Sequence, residues 1–380
     1  MKKWMFFICC LLISGTLTVQ AAGTKEETQK ETEEKIVKEL DLDSVDDLLE
    51  ELFPDKSVTF RELFTGLMSG DTKFSFTLIK EALKHQFLGN FAGHKKSMIQ
   101  ILVLVIIAAV FTNFSNVFQN KQVSQVSFYV VYILLVTISI GTFRMLVDTA
   151  AKNLMQLVSF MKVLSPIYFL ATAFATGSVT SVAFYNIILV LIFLVELFVL
   201  NILVPLIQVY LVIRMINNLA TEDYLSKFAE LLSTVISWTM KTILAAIIGI
   251  NVIQALLGPA IDTLKRHVVT KSAGAIPLIG DAIGGVTDIV LGTALVIKNG
   301  IGMAGAIVCV LISIVPMIQI AVVTLLYKTV CAVIQPISDK RVVQCISSMA
   351  DGASMLLRVV FTTGVLFLLT IAIVAATAGG

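Results

Sequence analysis

The alternation of apolar and polar positions divides the chain into a polar first quarter and a largely apolar remainder. Ser97 to Asn120 carries no charge over 24 residues, and Gln122 to Phe143 none over 22. Each run is long enough to cross roughly 30 Å of hydrocarbon as a helix. The short link Gln119-Asn120-Lys121-Gln122 predicts an antiparallel hairpin between them. Further apolar runs at 187–213, 235–257, 302–326 and 355–377 complete, with 98–119 and 123–143, six predicted spans. The segments after Pro166 and Pro277 are short or glycine-interrupted, and the pattern leaves each as a re-entrant loop or a short span. Between the spans, residues 144–165 are amphipathic, with Arg144, Asp148, Lys152 and Lys162 set against Met145, Leu154, Leu157, Phe160 and Leu164. The expected fold is an all-α polytopic membrane protein with about 6–8 hydrophobic helical segments over residues 98–380.

The polar quarter has its own organisation. Residues 1–22 read as a signal peptide, with Lys2 and Lys3 before the apolar core Trp4–Ile13 and small residues at Val19-Gln20-Ala21. Cleavage there places the following residues outside the cytoplasm. Residues 23–97 are the expected extracytoplasmic segment, acidic at first. Over 24–51 there are twelve acids against four lysines, overlaid on an apolar stripe of Ile36, Leu40, Leu42, Val45, Leu48, Leu49 and Leu52 at helical spacing. Beyond Pro54, Phe60, Leu63, Phe64, Leu67 and Met68 repeat the pattern. These helices have two homes open to them: the membrane surface, or the protein's own transmembrane part.

Composition sharpens the division. Hydrophobic residues make up 57% of the 380 and charged ones only 14%, against roughly 25% charged in soluble domains. Residues 24–97 hold 16 acidic and 11 basic side chains, whereas 98–380 hold 10 and 15. The net charge of +2 therefore averages two unlike regions, and nothing in it points to nucleic acid. Cys309, Cys331 and Cys345 lie in or beside apolar helices without metal-ligand spacing and read as small buried side chains.

The chain also repeats itself. Pro166 and Pro205 are 39 residues apart, as are Pro277 and Pro316, with an offset of 111. Pro205-Leu-Ile-Gln208 matches Pro316-Met-Ile-Gln319, and the order of segments that follows is shared. Residues 166–257 and 277–377 are the expected halves. Interrupted segments at corresponding places in such halves point to the working site of many membrane folds.

One stretch, Gly258–Gly305, concentrates the interruptions, with nine of the chain's 22 glycines, Pro259, Pro277 and a cluster of charges. Asp281 and Asp288 lie seven apart and share one face of a helix. They read either as a polar strip along a pathway or contact, or, for Asp281, as a helix-start residue favoured by the dipole. Gly280, Gly284 and Gly285 supply small-xxx-small spacing for close helix packing. Glu196, the only charge between Lys162 and Arg214, is either an intramembrane acid or a turn residue. Lys241, Lys298 and Arg358 are expected near span ends, snorkelling to water. Gly300-Ile-Gly302-Met-Ala-Gly305 matches GxGxxG but follows no strand, so no dinucleotide cofactor is expected. No nucleophile–base pair, P-loop or paired-histidine site occurs, and no catalytic activity is expected.

Ser272-Ala-Gly-Ala-Ile-Pro277-Leu-Ile-Gly280-Asp281-Ala-Ile-Gly284-Gly285, with Ile297-Lys298-Asn299 further on, resembles the stage III sporulation protein AE family of endospore formers. The order of signal peptide, acidic region and multi-span region agrees with it. The resemblance implies a membrane component of a multi-protein channel, or secretion-like apparatus, between mother cell and forespore. It further implies a location in the mother-cell-derived membrane around the forespore, and a need for the protein in forespore gene expression and development. Its partners would be other membrane and extracytoplasmic subunits, the lipid bilayer and copies of itself. It brings no catalytic residues with it. Without the resemblance, a self-contained secondary transporter with a site at the broken helices is the alternative.

Overall fold

The computed structural model describes residues 35–38, 40–53, 59–68, 99, 103, 121–176, 190–220, 222–273, 280–336 and 338–377. Side chains are described within these except at 121–125, 127, 176, 251, 253–290 and 373–377. The signal peptide and the first expected span, 98–119, lie outside the described residues. So do the segment after Pro166 from residue 177 on and Pro277 itself.

Seven helices organise what is described: α1 Asp43–Leu52, α2 Phe60–Met68, α3 Lys121–Thr176, α4 Val190–Leu219, α5 Ser226–Ala273, α6 Gly280–Ile334 and α7 Lys340–Thr377. No strand occurs among the described residues. Five of these helices, α3 to α7, are long and apolar enough to cross a membrane, and each covers one of the five expected spans after the first, that at 187–213 from Val190 onward.

α3 departs from the expectation of a span followed by a separate amphipathic helix. It runs unbroken for 56 residues, because nothing between Phe143 and Pro166 ends a helix. Arg144, Asp148, Lys152 and Lys162 all turn one face outward, while Leu146, Leu154, Leu157 and Phe160 are buried beneath. Pro166 lies inside the helix and does not end it. α4 handles its proline differently. A five-residue π turn, Val199–Leu203, precedes Pro205, and the Val204 amide bonds back to the Val199 carbonyl, five residues earlier. The extra residue in that turn accommodates the N–H that Pro205 lacks.

Among the described residues, two short polar links join successive helices. Between α4 and α5, Asn217 Nδ2 donates to Asp223 Oδ1 (2.9 Å) and Asn217 Oδ1 accepts from the Leu225 amide (2.7 Å). Asp223 also accepts from the Ser226 amide, capping α5. Between α6 and α7, Asp339 accepts from the Arg341 amide at 2.8 Å and caps α7. The Arg341 guanidinium then lies over the Phe128 ring of α3, 3.6 Å from its centroid.

α7 is the hub, packing against α3, α4, α5 and α6, and its span is the most buried of the five. α5 touches only α4 and α7 among these helices to any extent and is the most exposed. The two expected halves therefore end in helices of the same order but of different position, one central and one at the rim. α1 and α2 do not lie free on a membrane surface. α1 packs on α3 and α2 on α6, with Phe60, Leu63 and Phe64 fully buried. Asp46 of α1 accepts hydrogen bonds from the Phe60 and Arg61 amides, so that one helix caps the next.

Candidate functional site

The apolar interior is not one cluster but two. One gathers Tyr132, Leu146 and Leu154 of α3, Ile207 and Tyr210 of α4, Ile320 and Tyr327 of α6, and Ile346 to Val360 of α7. The other gathers Phe60 and Phe64 of α2, Leu157 to Ala175 of α3, Ile297 to Ile312 of α6, and Leu366 to Ile371 of α7. The seam between them is polar. Asn153 of α3, Ser313 of α6 and Thr363 of α7 are buried there. The Ser313 hydroxyl bonds back to the Cys309 carbonyl (2.8 Å) and fills the space beside Gly364, where a Cβ would lie 3.0 Å from Ser313 Oγ.

Pro316 explains why this seam exists. A proline inside a helix has no N–H for the carbonyl four residues back, and its ring crowds that carbonyl. The orphan is Ile312 O. Asn153 Nδ2 reaches across from α3 and donates to it at 2.9 Å, replacing the lost intrahelical bond with an interhelical one. Such a bond within a membrane bundle contributes roughly 0.6–1.7 kcal/mol. Asn153 is 1% exposed, and its Oδ1 has no hydrogen-bond partner among the described residues.

Beside this tie lies a half-enclosed cavity of about 330 Å³. α3 lines it with Thr149, Lys152, Asn153 and Gln156, at the i, i+3, i+4, i+7 spacing of one helix face. α6 contributes Ile312, Pro316 and Gln319, and Leu52 and Phe53 at the end of α1 form its rim. A larger, apolar groove of about 610 Å³ runs along Pro166 and Phe169 of α3 and Ile192 and Phe193 of α4. Lys162 sits at that groove with its Nζ 5.0 Å from the Phe193 ring centroid.

The residues singled out from the sequence fall elsewhere. Glu196 is not in a turn; it lies inside α4, three residues before the π turn, 2% exposed, with neither oxygen hydrogen-bonded among the described residues. It lies within electrostatic reach of the Cys309 thiol of α6. Lys298 does not snorkel from a span end. It is fully buried in α6. Lys241 and Arg358 are exposed, and both lie well inside their candidate spans, Ser226–Ile250 and Lys340–Ala372, rather than at the ends. Gly280, Asp281, Gly284, Gly285 and Asp288 begin α6 as helix, which places Asp281 in its first turn; their side chains lie outside the described residues. The GxGxxG match proves to be a packing surface. A Cβ at Gly300 would meet Phe64 Cε2 at 2.9 Å, one at Gly302 Tyr168 Oη at 2.7 Å, and one at Gly305 Leu164 Cδ2 at 2.7 Å.

The seam residues were not singled out from the sequence, although Gln319 marked the repeat and Lys152 the amphipathic face. The available signal was four polar residues at the spacing of one helix face, and a proline in a span with an amide three residues on. Chemically, the seam offers hydrogen-bond donors and acceptors and one ammonium. No group of three or more His, Cys, Asp or Glu suited to a metal ion occurs among the described residues.

Five membrane-length helices, two apolar clusters and a polar seam at a proline define an all-α polytopic membrane protein. The family model for stage III sporulation protein AE matches residues 58–378, and the chain belongs to that family. It is also 23% identical to stage III sporulation protein AE of Bacillus subtilis (strain 168), over 99% of this chain and 97% of the relative. No solved structure matches the chain.

Proposed function

We propose that the chain is a membrane subunit of a multi-protein channel, or secretion-like complex, between mother cell and forespore, needed for forespore gene expression and development. It works there by assembly and without catalysis of its own. The observation that carries this reading is the closure of the bundle. Apolar clusters lie on both sides of the polar seam, so a single copy presents no continuous polar path among its described residues. In this reading the conduit for hydrophilic cargo forms between chains. Membership of a sporulation family supports the setting.

The outward face of α1 supplies a docking surface. Asp47, Glu50 and Glu51 are exposed along it, while Val45 and Leu49 hold the helix to the bundle. An extracytoplasmic subunit with a basic surface fits this face. Crosslinking in the membranes of sporulating cells, followed by gentle solubilisation, is expected to recover several other membrane and extracytoplasmic chains. Reversing Asp47, Glu50 and Glu51 to lysine is expected to remove the extracytoplasmic ones without lowering the protein's level. Recovery of the chain alone would favour the self-contained transporter.

A further inference from the structure

We infer that the cavity beside Pro316 is a water-accessible binding site for an anionic oxygen group. The inference goes beyond membership of an assembly and holds for a single copy.

Three observations converge on it. The first is an unmet hydrogen bond. Asn153 Nδ2 is committed to the Ile312 carbonyl, so the amide has no freedom to turn, and its buried Oδ1 is left without a donor among the described residues. A buried carbonyl of this kind is ordinarily satisfied by protein or by an ordered molecule, and Asn153 itself lines the cavity. The second is room. About 330 Å³ holds roughly ten waters at about 30 Å³ each, or a small hydrated ion. The third is the sign of the lining. Lys152 is the one charged side chain among its described lining residues, and Gln156 and Gln319 add carboxamide donors. The Thr149 hydroxyl already donates to the Met145 carbonyl at 2.9 Å, so it offers only lone pairs to the cavity. Asp148, one turn before Lys152, and Glu51, next to Leu52, do not line it. An anion on Lys152 and the two glutamines, carrying a hydroxyl or a water that donates to Asn153 Oδ1, satisfies every group. A cation would find oxygens on Asn153, Thr149, Gln156 and Gln319 but would sit against the Lys152 ammonium.

The anionic oxygen can belong to a free solute ion or to a lipid headgroup, and one experiment separates them. Gln319→Cys and Gln156→Cys are made separately in the full chain and reconstituted in zwitterionic nanodiscs. Each is treated with anionic sulfonatoethyl or cationic trimethylammonioethyl methanethiosulfonate. Modification is followed by site-resolved mass spectrometry, so that Cys309, Cys331 and Cys345 can stay. Both cysteines are expected to react, the anionic reagent about tenfold faster, as one unit charge at intermediate dielectric provides. Lys152→Gln is expected to bring the two rates to parity. Repeating the reaction in nanodiscs rich in anionic phospholipid assigns the occupant: protection identifies a headgroup, and an unchanged rate a free ion. Failure of both cysteines to react, or a charge preference unmoved by Lys152→Gln, would overturn the site.

Discussion

Asn153 and Pro316 are 163 positions apart and function as one unit, which a double-mutant cycle can measure. Asn153→Ala strands the Ile312 carbonyl and is expected to lower stability by about 1–2 kcal/mol. Pro316→Ala restores a backbone N–H to that carbonyl, so in its presence Asn153→Ala is expected to cost markedly less. Equal losses in the two backgrounds, read by thermal unfolding in detergent, would refute the tie. The glycines make a second test by contrast. Gly302→Ala drives a methyl toward Tyr168 Oη and is expected to cost about 1–3 kcal/mol as overpacking. Gly141 has nothing within 4 Å of a built Cβ, and Gly141→Ala is expected to be neutral or stabilising by up to about 1 kcal/mol. At this scale the sequence was only partly legible. Glu196 stood out because it is a lone charge in an apolar run, yet its depth depends on where α4 begins. Lys298 looked like a residue at a span end because the run before it is broken by glycines, whereas α6 continues through that stretch and buries it. The Asn153–Ile312 bond joins a side chain to a carbonyl through a fold that pattern alone does not specify.

Among the elements, the clamp of α1 and α2 is the most exposed to test. Phe64 is 1% exposed and seated on Gly300, so Phe64→Ala is expected to cost about 3–5 kcal/mol. It should also make residues 43–68 the first to be cut by protease. Two carboxylates outside the spans should respond to acid in opposite directions. Burial holds the Asp46 carboxyl above its ordinary 3.8, against the opposing hydrogen bonds from Arg61 and Phe60. Its folded state binds the proton more tightly than the unfolded, so its contribution is present at low pH and fades as pH rises through the raised value. Hydrogen bonds from Ser226 and Asn217 hold Asp223 below 3.8; that contribution is present above 3.8 and is lost as pH falls through the lowered value. Hydrogen exchange between about pH 5 and about pH 3, corrected for intrinsic rates, should show protection falling at Ser226 and holding or rising at Phe60. The extent of α1 and α2 was legible in the apolar stripes, but not their seat. A stripe shows that a face is buried and leaves open whether lipid or protein buries it. The length of α3 was hidden for a related reason: its outward charges read as a change of environment, although the helix never breaks.

For the whole molecule, membrane spans are the most legible feature, since uncharged runs of this length have few other uses. Each of the five expected spans within the described residues lies in a long helix. The repeat predicts which helices follow one another, Pro205 in α4 before α5 and Pro316 in α6 before α7. It does not predict that α7 occupies the centre and α5 the rim, because packing depends on what each half meets, and α3 meets only one of them closely. The Asn153 tie has one more consequence. α3 has 56 residues and α6 has 55, each about 80 Å long against roughly 30 Å of hydrocarbon. Both residues of the tie stand about 48 Å from the first residue of their helices. The tie thus stands well inside two helices that are far longer than the membrane is thick. At that distance a relative tilt of about 5° would carry a far end through about 4 Å, more than the length of a hydrogen bond, so the packing on both sides of the tie has to hold the two helices to a small angle.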